Sequence, residues 1–312
     1  LSIIPDGKRA WQDSLVTDWT DPKKALQLER NYQTPEVLSQ RSAMMAMLQI
    51  KPGERVLDVG CGPGFMLLEL ANAVGAHGAA EGVDTSSAMC SLAQSRLADT
   101  PASSVRIGCA EQLPFDDCSF DVVILSQVLL YIKSADIPQA LSEARRVLRP
   151  GGRLLICETD WDSLIVSTAD KIQFERIRAA CCSTFVDAHL PPKLPGLLAE
   201  AAFHLTHVHT VPMISAGAPD VNGGSFIGNW AFKVAPEKAR MFGLAESDVA
   251  SWLNEQQSLS DQKAFFACVH RFLFLAHKPD EPKMDTEPYT AQTRSLFCCK
   301  LDETPPTVGS LE

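Results

Sequence analysis

Residues 56–66 read VLDVGCGPGFM, and this stretch decides the fold of the chain. A short apolar run contains the single acid Asp58 and is followed by glycines at every second position, Gly60, Gly62 and Gly64. A buried strand that ends in a glycine-rich turn allows a ligand to approach the backbone closely. The stretch therefore predicts a ligand site where the first strand of a sheet ends.

Strand-like and helix-like segments alternate on the C-terminal side of this turn. Five short apolar runs predict strands, at ERVLDV, AAEGVD, SVRIGC, FDVVILS and GGRLLICE, the last ending at residue 158. The segments FMLLELANAV, SSAMCSLAQSRLA and IPQALSEARRVL have helical length, and Ser86 or Ser87 is a candidate N-cap. Strands this apolar on both faces are typical of a buried parallel sheet, so we predict a Rossmann-like, doubly wound α/β fold.

The rest of the chain completes a seven-stranded sheet with helices on both faces. Beyond residue 158 we expect a loop and one helix over 160–190, a sixth strand near 204–211, a loop over 212–230, a helix at ESDVASWLNEQQSL and a last strand at KAFFACVHRFLFLAHKP. His204, His207 and His209 should be exposed at the sheet edge. A helix over residues 35–50 leads into the first strand.

These elements predict three regions. They are an N-terminal helical cap at 1–50, the main domain at 51–278 with lid inserts at about 161–192 and 212–258, and an extended or disordered tail at 279–312.

Composition and charge exclude several classes of protein. The 312 residues carry a net charge of −10 and contain no basic run longer than a pair, so we expect no nucleic-acid partner. No apolar stretch has the roughly 18–20 residues that span a bilayer, and no signal peptide is recognisable, which favours a cytoplasmic protein. The ten cysteines include no Cys-x-x-Cys pair, so we expect reduced thiols and no metal site.

The glycine spacing and Asp58 distinguish between two classes of cofactor. Dinucleotide sites favour Gly-x-Gly-x-x-Gly, whereas Phe65 stands here where their third glycine would be. A carboxylate at Asp58 would also face a pyrophosphate unfavourably, but it suits a ligand with an ammonium group. S-adenosylmethionine carries an ammonium and a sulfonium and has no phosphate. These residues therefore favour S-adenosylmethionine over a dinucleotide oxidoreductase's cofactor.

Four blocks in the right order carry a resemblance to a known family. VLDVGCGPG, EGVDTSSAM, AEQLPFDDCSFDVVILSQVLLYI and EARRVLRPGGRLLICETDWD resemble the class I S-adenosylmethionine-dependent methyltransferases. Within that class the chain is most similar to the small-molecule branch that includes the ubiquinone and menaquinone biosynthesis methyltransferases. The resemblance covers about residues 40–165 and implies methyl transfer to a small acceptor, leaving S-adenosylhomocysteine.

The resemblance also implies positions that contact the cofactor. Asp58 would bind the methionine ammonium and Asp84 the ribose hydroxyls, whereas Cys109 departs from the aspartate that relatives use near the adenine. The full set is Asp58, Gly60, Cys61, Gly62, Gly64, Asp84, Thr85, Met89, Cys109, Ala110, Glu111 and Ser126.

The residues that would contact the methyl acceptor are predicted from their positions in the chain and not from a motif, because the family has no fixed catalytic residue. A sulfonium methyl group is already activated, so a general base is needed only for an acceptor that arrives protonated. The candidate catalytic residues are Glu158, Asp160 and His189, and the candidate substrate wall is Tyr32, Trp161 and Trp230.

Other readings stay open at this point. An S-adenosylmethionine-binding protein without methyl transfer, such as an isomerase, a cyclase or a regulatory subunit, would show the same cofactor motif. The cysteine pairs at 181–182 and 298–299 admit an arsenite methyltransferase as a minor alternative. The acceptor and the oligomeric state are left undecided.

Overall fold

The computed structural model describes residues 29–100, 103–220 and 224–280. Its strands are β1 (Arg55–Val59), β2 (Ala79–Asp84), β3 (Ser103–Ile107), β4 (Phe120–Ser126), β5 (Leu148–Val166), β6 (His204–Gly217) and β7 (Phe265–His277). They form one sheet in the order β3-β2-β1-β4-β5-β7-β6. Strands β1 to β5 pair in parallel, whereas β7 runs antiparallel to both β5 and β6. This confirms the predicted seven-stranded Rossmann-like fold.

Helices cover both faces of the sheet. They are α1 (Pro35–Leu48), α2 (Phe65–Val74), α3 (Ser87–Arg96), α4 (Ile137–Val147), α5 (Lys171–Cys182), α6 (Leu194–Glu200), α7 (Phe226–Asn229), α8 (Ala235–Met241) and α9 (Glu246–Asp261). Short 3₁₀ turns lie at Leu129–Tyr131 and Pro191–Lys193, and a π-helical turn lies at Trp230–Val234. The expected helices before β1, after β1, β2 and β4, and before β7 are all present. Ser86 is the N-cap of α3, since its hydroxyl accepts from the Met89 N–H at 3.3 Å.

The sheet is buried between two apolar layers. Consecutive residues of β1, Val56 and Leu57, point to opposite faces and are both fully buried. Val56 belongs to the layer that contains Met44 of α1, and Leu57 belongs to the layer that contains Leu141 of α4. Full burial of such a side chain contributes about 1.5–3 kcal/mol, so the apolar residues of the central strands stabilise the packing of both layers.

Two predictions on the second half of the chain are wrong. Strand β5 does not end at residue 158 but continues to Val166, where it pairs again with β7 after an irregularity between Asp160 and Ile165. Residues 212–217, which we expected in a loop, continue β6 along β7, and the expected loop also contains α7. Pro212 and Gly217 resemble loop residues, but β6 is an edge strand, where a proline is tolerated. The alternating burial of Val211, Met213 and Ser215 is the strand pattern that they obscured.

Three further predictions concern the exposure of the β6 histidines, membrane spans and the two ends of the chain. His204, His207 and His209 lie exposed on the edge strand β6, as expected. Among the described residues, no helix is long and apolar enough to cross a membrane. Most of the tail that we predicted from residue 279 onward and of the N-terminal cap lies outside the described residues. The boundaries of the three regions stay predictions.

Candidate functional site

The glycine turn folds back over the end of β2. The Gly60 and Cys61 N–H groups both donate to the Val83 carbonyl, at 2.7 and 3.0 Å. Gly60 has a φ of +69°, and a Cβ there would lie 2.5 Å from Cγ2 of Val128. Both the backbone angle and the close approach therefore require glycine at this position. The turn that follows β1 is thus packed against the turn that follows β4.

Asp84 joins the glycine turn to the start of α3. Its Oδ2 accepts from the Gly62 N–H at 2.9 Å, and its Oδ1 accepts from the Ser86 N–H at 2.8 Å. A carboxylate oxygen has more than one lone pair, so each oxygen can accept a further hydrogen bond. The side chain is half-buried at the end of β2. This position and this spare capacity suit the predicted contact with two ribose hydroxyls.

Asp58 is a buried carboxylate without a hydrogen-bond donor among the described residues. It is 3% exposed, and burial, followed by the negative charge of Asp84, raises its pKa from 3.8 to about 7. A buried charge needs a partner of opposite sign to be stable. The end of β1 therefore fits a ligand that brings a cation, such as an ammonium group. This is the strongest indication in the structure of what the glycine turn binds.

An aromatic pair lies over the glycine turn and was only partly foreseen. The Tyr32 ring stacks on Phe65 at 5.5 Å, and the Arg96 guanidinium lies 3.6 Å from the centre of the Phe65 ring on α2. A Cβ at Gly62 would lie 3.2 Å from the Tyr32 hydroxyl. The Tyr32 carbonyl accepts from Arg41 of α1 at 2.6 Å. Tyr32, which we predicted in the substrate wall, therefore covers the glycine turn. It is held there by Phe65, the residue that stands where dinucleotide sites have their third glycine.

The residues expected near an adenine lie beside Asp84. The backbone carbonyl of Asp84 accepts from the Gly108 N–H at 3.1 Å, which places Cys109, Ala110 and Glu111 next to the end of β2. Ala110 is buried, whereas Cys109 and Glu111 are partly exposed. In the same region, the predicted contact residue Met89 is buried and Thr85 is exposed. Their contact with an adenine stays a prediction.

A polar network lies beyond the ends of β4 and β5. The Thr159 hydroxyl donates to Oε1 of Gln127 at 2.6 Å and accepts from Nε of Arg271 at 3.2 Å. Nη1 of Arg271 also donates to Oε1 of Gln40 on α1. Gln40 in turn donates to the predicted cofactor contact Ser126, at 3.4 Å. We did not foresee Gln40 or Arg271, although a cation inside the apolar run VHRFLF was a visible anomaly.

Glu158 holds the turn that follows β4. Its Oε1 accepts from the Val128 and Leu129 N–H groups at 3.0 and 2.8 Å, while its Oε2 is buried and has no partner among the described residues. Burial raises its pKa from 4.5 to about 8, against the opposing effect of these hydrogen bonds. The surroundings fit a positioning role for Glu158, and the catalytic role stays a prediction.

The other two catalytic candidates form a pair. Nδ1 of His189 lies 2.7 Å from Oδ1 of Asp160, and the same oxygen accepts from the Asp162 N–H at 3.1 Å. Asp160 is almost buried, whereas His189 is half exposed. Backbone hydrogen bonds from Val186 to Leu130 attach the preceding loop to the turn after β4. A carboxylate that orients an imidazole in this way is an arrangement found in general bases.

The two predicted tryptophans lie together. The Trp161 ring is 6.0 Å from Trp230 and stacks on Phe185 at 5.4 Å. Trp161 and Trp230 are both buried, and Nε1 of Trp161 has no partner among the described residues. Tyr32 is not part of this cluster, because it lies over the glycine turn.

The described residues contain no metal cluster. No group of three or more His, Cys, Asp or Glu side chains within 29–100, 103–220 and 224–280 is placed to hold a metal ion. The eight cysteines in these ranges are free thiols, including Cys181 and Cys182 of α5. Cys298 and Cys299 lie outside the described residues, so the arsenite alternative stays untested.

The chain is similar to known proteins in both sequence and structure. The family model of the methyltransferase domain matches residues 56–152. An uncharacterised 37.1 kDa protein of transposon TN4556 from Streptomyces fradiae is 43% identical over 149 residues, which are 48% of this chain and 43% of that protein. The demethylmenaquinone methyltransferase of Bacillus cytotoxicus is 34% identical over 127 residues, 40% of this chain and 53% of that enzyme. The crystal structure of the YcgJ protein from Bacillus subtilis superposes with a TM-score of 0.54 at 17% identity, covering 77% of this chain and 98% of that one.

These findings confirm the resemblance to the class I S-adenosylmethionine-dependent methyltransferases, including quinone-biosynthesis enzymes. The chain spans about half the length of the curated relatives that it matches. The matched domain contains the glycine turn, Asp58 and Asp84, but it ends before Glu158. Relatives therefore bear on the cofactor side of the site, whereas the acceptor side must be argued from this chain's own residues.

Proposed function

We propose that this chain transfers the methyl group of S-adenosylmethionine to a small organic acceptor. The observation that carries the proposal is the buried Asp58 carboxylate, which has no hydrogen-bond donor among the described residues and lies beside a glycine turn. Such a site favours a ligand that is cationic and has no phosphate. A dinucleotide would bring negative charge to the same place, so the oxidoreductase alternative is disfavoured.

The chain's own residues would hold and align the reactants. Asp58 would bind the ammonium of the cofactor, and Asp84 would accept from its ribose hydroxyls. When bound, S-adenosylmethionine supplies a methyl group that is already activated by the adjacent sulfonium. The network around Gln40, Thr159 and Arg271 lies where it can orient an acceptor for in-line attack. Alignment and exclusion of water can contribute about 7–11 kcal/mol to such a reaction.

We further propose His189 as the general base for an acceptor that arrives protonated, with Asp160 orienting the imidazole. The 2.7 Å contact between the two side chains supports this pair over Glu158, one of whose carboxylate oxygens already accepts from two backbone N–H groups. Replacement His189→Asn should lower kcat for an acceptor that must lose a proton, while binding of S-adenosylhomocysteine stays unchanged. An unaltered kcat would contradict this role.

The direct test of the proposed function combines binding and turnover. Calorimetry should detect binding of S-adenosylhomocysteine by the purified chain and no binding of NADH. Incubation with S-adenosylmethionine and a metabolite extract should then form S-adenosylhomocysteine, detected by mass spectrometry. Asp58→Asn should abolish both the binding of S-adenosylhomocysteine and its formation from S-adenosylmethionine. The same substitution at the exposed Asp99 should leave binding and formation unchanged. Binding without turnover would favour the non-methylating alternative, and tighter binding of NADH would refute the proposal.

The setting of the reaction is part of the proposal. The net charge of −10 and the absence of basic runs support a small-molecule acceptor in the cytoplasm rather than a nucleic-acid partner. We also propose that residues 167–192 and 224–258, which are parts of the predicted lid inserts that lie outside β5 and β6, close over the acceptor. Limited proteolysis should cut these segments more slowly when S-adenosylhomocysteine is bound, and equal cleavage would count against a closing role.

A further inference from the structure

Arg271 is a buried cation in the middle of an apolar strand. It lies on β7, directly across from Thr159 of β5 and Val211 of β6, and is 6% exposed. A guanidinium stays protonated in proteins, so its charge must be balanced at this position. Among the described residues, no carboxylate forms an ion pair that supplies this balance.

The hydrogen-bond partners of Arg271 are neutral. Nε donates to the Thr159 hydroxyl and Nη1 donates to the Gln40 amide oxygen, while the guanidinium lies 4.5 Å from the Phe226 ring. Within the described ranges it forms no ion pair with a carboxylate. The buried Arg41, by contrast, pairs with Glu69 at 2.6 Å. An arginine has five N–H donors, so Arg271 keeps donors for a further acceptor.

Nearby acidic groups do not provide the missing charge. Glu158 precedes Thr159 and therefore points to the opposite face of β5, where its carboxylate holds two backbone N–H groups. Burial raises its pKa to about 8, which favours the neutral form, and it acts on Arg271 only through space, since no ion pair joins the two among the described residues. Tyr32 has a pKa raised to about 12 by burial and also stays neutral.

Arg271 lies on the acceptor side of the proposed cofactor site. Tyr32 is within electrostatic range of both Arg271 and Asp58, since each of them shifts its pKa. Gln40 connects Arg271 to Ser126 at the end of β4. Tyr32, which lies over the glycine turn, is therefore near both charged groups, and the guanidinium lies over the Phe226 ring. A single cation with apolar neighbours balances one negative charge.

We propose that the methyl acceptor is a small organic monoanion whose carboxylate is bound by Arg271. This inference rests on the proposed function and adds the chemical class of the acceptor. A phosphate ester is disfavoured because its second charge would have no partner. The apolar part of the acceptor would face Phe226 and the neighbouring aromatic residues.

Calorimetry in two stages tests this inference. The first stage measures binding of S-adenosylhomocysteine to the wild-type chain, and its failure would refute the proposed function. The second stage uses the chain saturated with S-adenosylhomocysteine and titrates benzoate, hexanoate, their amides and phenyl phosphate. We expect at least one carboxylate to bind about tenfold more tightly than its amide and more tightly than phenyl phosphate. Equal binding of acid and amide, binding of neither, or preference for the phosphate would overturn the inference while leaving the proposed function intact.

Variants locate the effect at Arg271. Arg271→Met should reduce the preference for carboxylate over amide to roughly twofold or less, whereas Arg271→Lys should retain part of it. Arg240→Met removes an exposed arginine that pairs with Glu246 and should leave the preference unchanged. Binding of S-adenosylhomocysteine should be retained in all three variants. If Arg271→Met does not fold, as judged by circular dichroism, the wild-type chain and Arg271→Lys decide the question. A full preference in Arg271→Met would overturn the assignment.

Discussion

Asp58→Asn is expected to stabilise the ligand-free protein while it destroys the cofactor site. Burial and the charge of Asp84 raise the pKa of Asp58 from 3.8 to about 7. Between these values the folded protein keeps a proton that the unfolded chain has lost, so the free energy of unfolding falls as the pH rises. Above pH 7 the ionised carboxylate costs about 4 kcal/mol, at 1.36 kcal/mol for each pKa unit.

The size of the effect depends on pH in a way that identifies its cause. At pH 5 most of the cost is not yet present, because the folded carboxyl is still protonated. The variant should therefore gain about 3 kcal/mol relative to wild type between pH 5 and pH 8. Urea denaturation of both ligand-free proteins at the two pH values measures this difference. Asp99→Asn, an exposed carboxylate, is the matched control and should show no such change.

The same variant should gain stability but lose affinity for the cofactor product. Without its carboxylate, residue 58 offers no counter-charge to an ammonium, so S-adenosylhomocysteine should bind at least about a hundredfold more weakly. A variant that binds as tightly as wild type, or a stability difference that is the same at pH 5 and pH 8, would refute the reasoning. The destabilising carboxylate would then have no functional explanation.

Three further substitutions test how the site is built. Gly60→Ala should cost about 1–3 kcal/mol of unfolding free energy, because the new Cβ meets Val128 at a positive φ. Adding Val128→Ala should recover part of this loss, as measured by urea denaturation. An equal loss with and without Val128→Ala would contradict the contact. Glu158→Gln keeps an acceptor for the turn after β4, whereas Glu158→Ala leaves two N–H groups unpaired at about 1–3 kcal/mol each. The fall in wild-type stability between pH 4.5 and 8 that the raised pKa of Glu158 implies should be smaller in Glu158→Gln, and identical pH profiles would contradict the raised pKa. Tyr32→Ala removes the stacking on Phe65 and should weaken binding of S-adenosylhomocysteine in calorimetry, while Tyr32→Phe should retain most of it.

The cofactor side of the site was predictable because its determinants are close together in the sequence. Gly60, Gly62 and Asp58 lie within one turn of the chain, and Asp84 follows at the end of the next strand. Glycine spacing restricts the backbone, and a carboxylate at this point restricts the charge of the ligand. These local constraints were sufficient to indicate both the fold and the kind of cofactor.

The acceptor side was less predictable because its contacts join distant parts of the chain. Arg271 donates to Gln40 across 231 positions, and no local pattern indicates such a pairing. The continuation of β5 to Val166 depends on β7, which lies about a hundred residues later. Pro212 obscured the length of β6, since edge strands tolerate residues that central strands exclude. Composition alone did not reveal that Arg271, a cation in an apolar strand, forms no ion pair with any of the described residues.

The length of β5 and β7 has a consequence for how this protein can change over evolution. In the proposed function, the residues that would hold the methyl donor lie on β1 and β2 and in the turns after them, whereas Thr159, Trp161 and Arg271 lie on β5 and β7, outside the stretch 56–152. Substitutions on well-separated elements have nearly independent effects. Replacing side chains on β5 and β7 would therefore alter which acceptor is recognised without disturbing the residues proposed to hold the donor.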